Sequence, residues 1–100
     1  MVQATTPTFT FTFPSTIDPS TFQKTVFSLE QEGLEFEKTG EDLTIEGQTI
    51  SVSLTQKETL SLKVGKAEVQ LNWLYPDGTR ACSDINEIAI TKNLLQEILE

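Results

Sequence analysis

Residues 66 to 84 read KAEVQLNWLYPDGTRACSD, and this stretch has the most regular pattern in the chain. Its first half alternates apolar and polar side chains, as does a strand with one buried face and one wet face. The apolar set comprises Val69, Leu71, Trp73 and Tyr75. The sequence Pro76-Asp77-Gly78-Thr79 then favours a turn, because Pro fixes φ, Asp bonds nearby backbone and Gly accepts positive φ. The stretch therefore predicts a long hairpin, whose second strand starts at Arg80.

Alternation outside this hairpin predicts further short strands. In residues 8–13, Phe9, Phe11 and Phe13 share one face and threonines share the other. We expect the phenylalanine face to lie in the core, because exposed aromatic ladders are rare on monomeric proteins. Turn-forming residues separate the remaining strand candidates, which are residues 22–30, 34–37, 43–45 and 49–54.

The segment from Thr55 to Glu58 matches a capping box, in which the Thr caps the first turn and the Glu reaches back to the cap. It predicts one helical turn over Gln56 to Thr59. After Cys82, which we interpret as a small structural side chain, the parity of the apolar residues changes. That change predicts either a bulge near Asn86-Glu87 or a strand that moves to the other sheet.

About seven strands within 100 residues predict an all-β fold, an immunoglobulin-like antiparallel β-sandwich with a one-turn helix and a short C-terminal helix. We assign residues 8–100 to a single β-sandwich domain and residues 1–7 to a flexible N-terminal arm. The N-terminus has no basic and apolar signal pattern, and no apolar run approaches the roughly 18 residues of a membrane span. We therefore expect a soluble protein that is made without Sec export and has no membrane partner.

The C-terminal helix is predicted from apolar residues that recur on one helical face. These residues are Leu94, Leu95, Ile98 and Leu99. A helix this short is marginal in isolation and must pack on something. It either covers one end of its own sandwich or docks on a neighbouring subunit, and we take its apolar face as the candidate interface.

The formal net charge is −8, so the chain repels phosphate backbones and a nucleic-acid partner is not expected. Seven acids lie between residues 30 and 46, namely Glu30, Glu32, Glu35, Glu37, Glu41, Asp42 and Glu46. They indicate a solvated acidic face, with a docking face for a basic partner or a weak cation site as alternatives.

The sequence contains few candidate residues for catalysis or for cofactor binding. The chain has one cysteine and no histidine, so the usual acyl-transfer triads and structural zinc sites are not expected. No Gly-rich phosphate loop follows a strand. We therefore predict a protein that is not an enzyme and that needs no cofactor or metal.

Trp73 and Tyr75 are the candidate residues for a small ligand, because flat aromatic faces stack on sugars. They also share a face with Val69 and Leu71, and a Trp buried between sheets serves the core more often than it serves a ligand. A carbohydrate-binding or adhesion module is thus the alternative function.

Three segments carry a resemblance to a known family. They are LTIEGQTISVSLTQKETLSL (43–62), EVQLNWLYPDGTRACSDI (68–85) and TKNLLQEIL (91–99). They resemble short structural proteins from the tail or baseplate regions of phages and prophages of Gram-positive bacteria, and the N-terminal domain of baseplate upper proteins. The resemblance implies a non-enzymatic particle component whose partners are other phage structural proteins or further copies of itself. Such a protein would assemble in the host cytoplasm and then reside in the virion.

Overall fold

The computed structural model describes residues 1–100 and is mostly β, with eight strands and one α-helix. Every pair of neighbouring strands is antiparallel. The elements are β1 (Thr8–Thr12), β2 (Lys24–Gln31), β3 (Leu34–Thr39), β4 (Leu43–Glu46), β5 (Thr49–Ser53), α1 (Gln56–Leu60), β6 (Gly65–Leu74), β7 (Arg80–Cys82) and β8 (Asn86–Ile90). Single 3-10 turns at Pro19–Thr21 and Gly40–Asp42 precede β2 and β4. The strands predicted from alternation are therefore present, and the predicted number is one too low.

The strands form two sheets. The smaller sheet has the order β1-β5-β4, and the larger has the order β3-β2-β6, with β7 and β8 both pairing with the far edge of β6. Alternate residues of each sheet point into a shared core. That core includes Phe27, Leu29, Val69 and Leu71 from the larger sheet and Ile50 and Val52 from the smaller.

The phenylalanine face of β1 lies against this core, as predicted. Phe13 is buried, while Phe9 and Phe11 are half-buried and pack on the core. The ring of Phe9 stacks on that of Phe27 with centroids 5.4 Å apart, and the ring of Phe11 meets Phe27 edge-on at 6.1 Å. Aromatic contacts thus join β1 of the smaller sheet to β2 of the larger.

The capping box at the start of α1 is confirmed. The Glu58 N–H donates to Thr55 Oγ1 at 3.2 Å, and the Thr55 N–H donates to Glu58 Oε1 at 2.8 Å. The helix runs one residue beyond the predicted turn, to Leu60. Inside it, Thr59 is fully buried and its hydroxyl donates to the carbonyl of Thr5. None of the helices has the length and apolar character that crossing a membrane needs.

The parity change after Cys82 comes from one extra residue in the returning chain. Along β7, Asn72 pairs with Cys82, but Val69 pairs with Asn86 instead of Ile85. The chain stays beside β6 throughout, so the bulge is the correct alternative, and it lies between β7 and β8 instead of at Asn86-Glu87. Cys82 itself is exposed, so it does not pack as a small apolar side chain would.

The predicted short C-terminal helix is absent, since no helix or strand follows β8. Local and long-range polar bonds hold residues 92–100 in an irregular path instead. The Asn93 side chain accepts from the Leu95 N–H at 3.1 Å, which competes with helical bonding at that point. A helix of this length has little stability of its own to oppose such bonds.

Residues 1–7, predicted as a flexible arm, lie beside the end of β8. Val2 forms a parallel bridge with Thr91, and the N-terminal ammonium donates to the carbonyl of Ala89 at 2.7 Å. Gln3 is buried, and its amide donates to the carbonyl of Leu62. The flexibility of these residues stays a prediction.

Candidate functional site

The C-terminal apolar segment, residues 92–100, carries the four predicted interface residues and leaves two of them, Leu94 and Leu99, mostly in solvent. The exposed fractions are 93% for Leu94, 46% for Leu95, 38% for Ile98 and 62% for Leu99. These side chains do not belong to the core cluster or to the half-buried residues packed against it. The segment therefore presents two large apolar side chains that the chain leaves mostly unburied, Leu94 and Leu99, and two that it covers only in part, Leu95 and Ile98.

Amide side chains hold the segment in place. The Gln56 side chain of α1 donates to the Leu99 carbonyl at 2.9 Å and accepts from the Leu99 N–H at 2.8 Å. Near the other end, Asn93 donates to the carbonyl of Gln3 at 3.0 Å, and Gln96 donates to the Gln3 side chain at 3.2 Å. The segment is thus attached to the N-terminal residues and to α1 through polar bonds, while its apolar groups stay available for another surface.

Trp73 and Tyr75, the predicted ligand residues, lie in an aromatic cluster at one end of the core. The cluster comprises Phe13, Phe22, Trp73 and Tyr75. Phe22 stacks on the face of Trp73 with a centroid distance of 5.7 Å and an interplanar angle of 12°. Phe13 meets the same indole edge-on at 5.0 Å. Phe22 therefore occupies one face of the indole, which a sugar would need for stacking.

The indole N–H of Trp73 is buried and has no acceptor. Buried donors are nearly always paired, and an unpaired one costs about 1–3 kcal/mol. Tyr75 is half-buried and lies just beyond β6, where the turn begins. That turn is formed as predicted, since Asp77 Oδ1 accepts from the Thr79 N–H at 2.9 Å and Gly78 has a φ of 89°.

A row of carboxylates crosses the outer face of the larger sheet. Glu35 pairs with Glu30, which pairs with Glu68 on its other side, and Glu68 pairs with Glu87. Directly opposite residues in antiparallel strands lie about 4.5–5.5 Å apart at Cα, and like charges there repel. Only Glu87 has an ion pair, with Lys66 at 3.1 Å. Sequence reasoning missed this row because it depends on the register of four strands.

Beside this row lies an open groove of about 410 Å³, and side chains of both charge signs line it. Lys24 and Arg80 line one part of it, and Glu35 and Glu37 line another. The Arg80 guanidinium donates to Asn72 Oδ1 at 3.0 Å, which fixes its position over the sheet. The groove is open and lined mostly by polar side chains, which is typical of a solvated protein surface.

The acidic stretch between residues 30 and 46 is solvated. All seven of its predicted acids are exposed, on β2, β3, β4 and the connections between them. No group of three or more Cys, Asp or Glu side chains is placed to hold a metal ion. The stretch contributes two of the four carboxylates in the row, so it adds to one negative face.

Two surfaces therefore stand out, an exposed apolar segment at the C-terminus and a negative outer sheet face. The first has the chemistry of a protein–protein contact, because exposed apolar groups gain most from burial against another surface. The negative sheet face favours the approach of a positively charged surface. In comparisons with known proteins, no protein-family model, no curated protein and no solved structure matches this chain.

Proposed function

We propose that this chain is a non-enzymatic structural or assembly component of a phage or prophage particle, associated with the tail or baseplate. It acts through protein–protein contacts. The family resemblance of residues 43–62, 68–85 and 91–99 supports this proposal. An immunoglobulin-like sandwich is the fold we assign within it, in keeping with two antiparallel sheets around one core.

The observation that carries the proposal is the exposure of the C-terminal apolar segment. Leu94 is almost wholly exposed, and Gln56 and Gln3 accept hydrogen bonds from the Leu99 N–H and the Gln96 side chain of the segment. Full burial of one Leu side chain is worth about 1.5–3 kcal/mol before the costs of association are subtracted. A partner that covers this segment would therefore gain binding energy that the isolated chain does not use.

The charge distribution supports a contact between structural proteins and argues against nucleic acid as the partner. With a net charge of −8 and a row of carboxylates on one sheet face, the chain repels phosphate groups. The same face would favour a basic partner surface. The proposed partners are other phage structural proteins, met first in the host cytoplasm during assembly and then in the virion.

The alternative, a carbohydrate-binding or adhesion module that uses Trp73 and Tyr75, is less well supported. The face of Trp73 is stacked on Phe22, and a sugar would have to displace that ring before it could stack. Core packing explains the cluster without a ligand.

Mass spectrometry of purified particles tests the proposed function. Particles are induced or grown from the host that encodes the chain, purified by density gradient and digested. We expect peptides of this chain at a level comparable with those of known tail proteins. Their absence from particles, while the chain is abundant in the lysate, contradicts the proposal.

A further inference from the structure

The strand β1 has one free edge. It pairs with β5 alone and ends the smaller sheet. The Phe13 N–H donates to the Gln48 carbonyl at 2.8 Å, and the Leu54 N–H donates to the Pro7 carbonyl at 3.1 Å. Hydrogen bonding to one neighbour alternates along an antiparallel strand, so the N–H and C=O groups of Thr8, Thr10 and Thr12 point away from β5. These threonines are exposed.

Between Pro7 and Pro14, this edge carries none of the side chains that usually protect against pairing. Natural edge strands carry charges, Pro or bulges that block a further strand. The edge strand β3 contains Glu35, Glu37 and Lys38, and the edge strand β4 contains Glu46. In contrast, β1 reads TFTFT and has no charge, Pro or Gly.

The sequence before β1 and the strand paired with it are uncharged as well. The first charged side chain in the sequence is Asp18, and the neighbouring strand β5 reads TISVS. Although the chain has a net charge of −8, two copies that meet at β1 place no like-charged side chains of β1 or β5 against each other. Charge thus favours a second copy of the chain at this edge.

We propose that a second copy of this chain pairs antiparallel with the free edge of β1, about a two-fold axis that passes beside Thr10. The sequence TFTFT reads the same in both directions. Thr10 then faces the partner's Thr10, Thr8 faces the partner's Thr12, and Phe9 faces the partner's Phe11. Each face of the joined sheet therefore continues without a change of polarity, as a two-fold contact requires.

The hydrogen-bonding groups fit the same register. Three outward N–H groups from each chain meet outward carbonyls of the other, so this pairing makes six backbone bonds. A slip by one residue places Thr opposite Phe and aligns free groups with groups already bonded to β5. The result is a six-stranded sheet built from two three-stranded ones.

Sedimentation velocity over micromolar to millimolar concentrations tests the pairing, with a thiol reductant present because Cys82 is exposed. We expect the wild-type mass to rise from the monomer value of 11.1 kDa towards twice that value. Thr10→Pro should stay monomeric, because Pro removes an outward N–H that the monomer does not use and is tolerated on edge strands. Thr10→Val is the control, since it loses the same contact with the Ser51 hydroxyl but keeps the N–H.

A charge swap tests the register and does not depend on how well the Pro variant folds. Thr10→Lys alone and Thr10→Glu alone should each lose association at low salt, because residue 10 faces its own copy. An equimolar mixture of the two should associate again.

A wild-type protein that stays monomeric overturns the inference, as does a Lys and Glu mixture that fails to associate or a folded Thr10→Pro variant that still dimerises. This inference goes beyond the proposed function and fails separately from it. Particle composition does not depend on the β1 edge, and self-association does not depend on phage origin.

Discussion

The Lys38 ammonium lies 2.7 Å from the Glu58 carboxylate and so ties β3 to the first turn of α1. Partial burial of Glu58 acts to raise its pKa, but hydrogen bonds from Lys38 and Thr55 outweigh that effect. The pKa therefore lies below its ordinary value of 4.5. The same carboxylate completes the capping box, so one side chain serves both the helix start and the link between elements.

This link predicts a dependence of stability on pH. A depressed carboxyl pKa contributes stability that is present above the unfolded-state pKa, and this stability is lost as pH falls below about 4.5 and through the folded-state pKa. Glu58→Gln keeps the capping box but removes the charge, so we expect a loss of about 1 kcal/mol at neutral pH and a flatter acid limb.

Urea unfolding at neutral and acid pH measures the difference between the wild type and the variant. Glu41→Gln is the control, because it removes one exposed charge that has no ion pair. Parallel pH curves for the wild type and Glu58→Gln contradict the assignment.

The buried amide of Gln31 predicts a larger loss of stability. This side chain is 6% exposed, donates to the carbonyl of Lys63 at 2.8 Å and accepts from the Lys63 N–H at 2.8 Å. Leu has a similar size, but Gln31→Leu leaves these two backbone groups of Lys63 without a hydrogen-bond partner. We therefore expect the free energy of unfolding to fall by about 2–4 kcal/mol. The matched change Gln23→Leu breaks one exposed bond, to the Pro76 carbonyl, and should cost under about 1 kcal/mol. Equal losses in chemical denaturation exclude this role for Gln31.

The two bonds between Gln56 and Leu99 predict local control of the C-terminal apolar segment. Gln56→Ala removes both bonds, and we expect amide exchange at Leu99 to rise at least about fivefold while the melting temperature changes little. Gln56→Glu keeps the acceptor for the Leu99 N–H and should give an intermediate rate. Hydrogen exchange by mass spectrometry gives the rates. Unchanged exchange in Gln56→Ala means that other contacts hold the segment.

The stacked pair Phe22 and Trp73 predicts the fluorescence of the single tryptophan. We expect blue-shifted emission in the wild type and a red shift in Phe22→Leu, since that change uncovers the indole face. Phe36→Leu alters another half-buried ring, which is not among the three rings that pair with the indole, and its emission should stay like that of the wild type. A glycan panel should leave the wild-type spectrum unchanged, and a saturable response to one glycan favours the sugar-binding alternative.

Sequence patterns identify those elements that local chemistry decides. Alternation locates β1, β5 and β6 to within about one residue, and the capping box locates α1, because each depends on neighbouring side chains alone. The prediction of a C-terminal helix is wrong for the opposite reason, because residues distant in sequence decide the structure there. The spacing of Leu94 and Leu99 favours a helix, but bonds to Gln56 and Gln3 from distant parts of the chain override it.

Pairing between strands decides the surface features that sequence patterns do not show. The carboxylate row forms because Glu30 and Glu68, far apart in sequence, lie opposite each other on β2 and β6. The free edge of β1 follows likewise from strand order, although its repeating TFTFT is visible in the sequence. The alternation of apolar and polar residues shows which face of the sheet a residue lies on, but it does not show which residue lies opposite on the neighbouring strand.

Incorporation of the chain into particles through its C-terminal apolar segment can be measured with variants of that segment. A deletion of the gene is complemented with wild type, with the double variant Leu94→Ser and Leu99→Ser, or with Ile85→Ser, which removes an exposed apolar side chain elsewhere. Copies per purified particle are then counted by quantitative mass spectrometry. We expect wild-type copy number for Ile85→Ser and at least a tenfold drop for the double variant, which corresponds to about 1.4 kcal/mol of lost binding. Equal incorporation of all three proteins, or no incorporation of any of them, contradicts the proposed function.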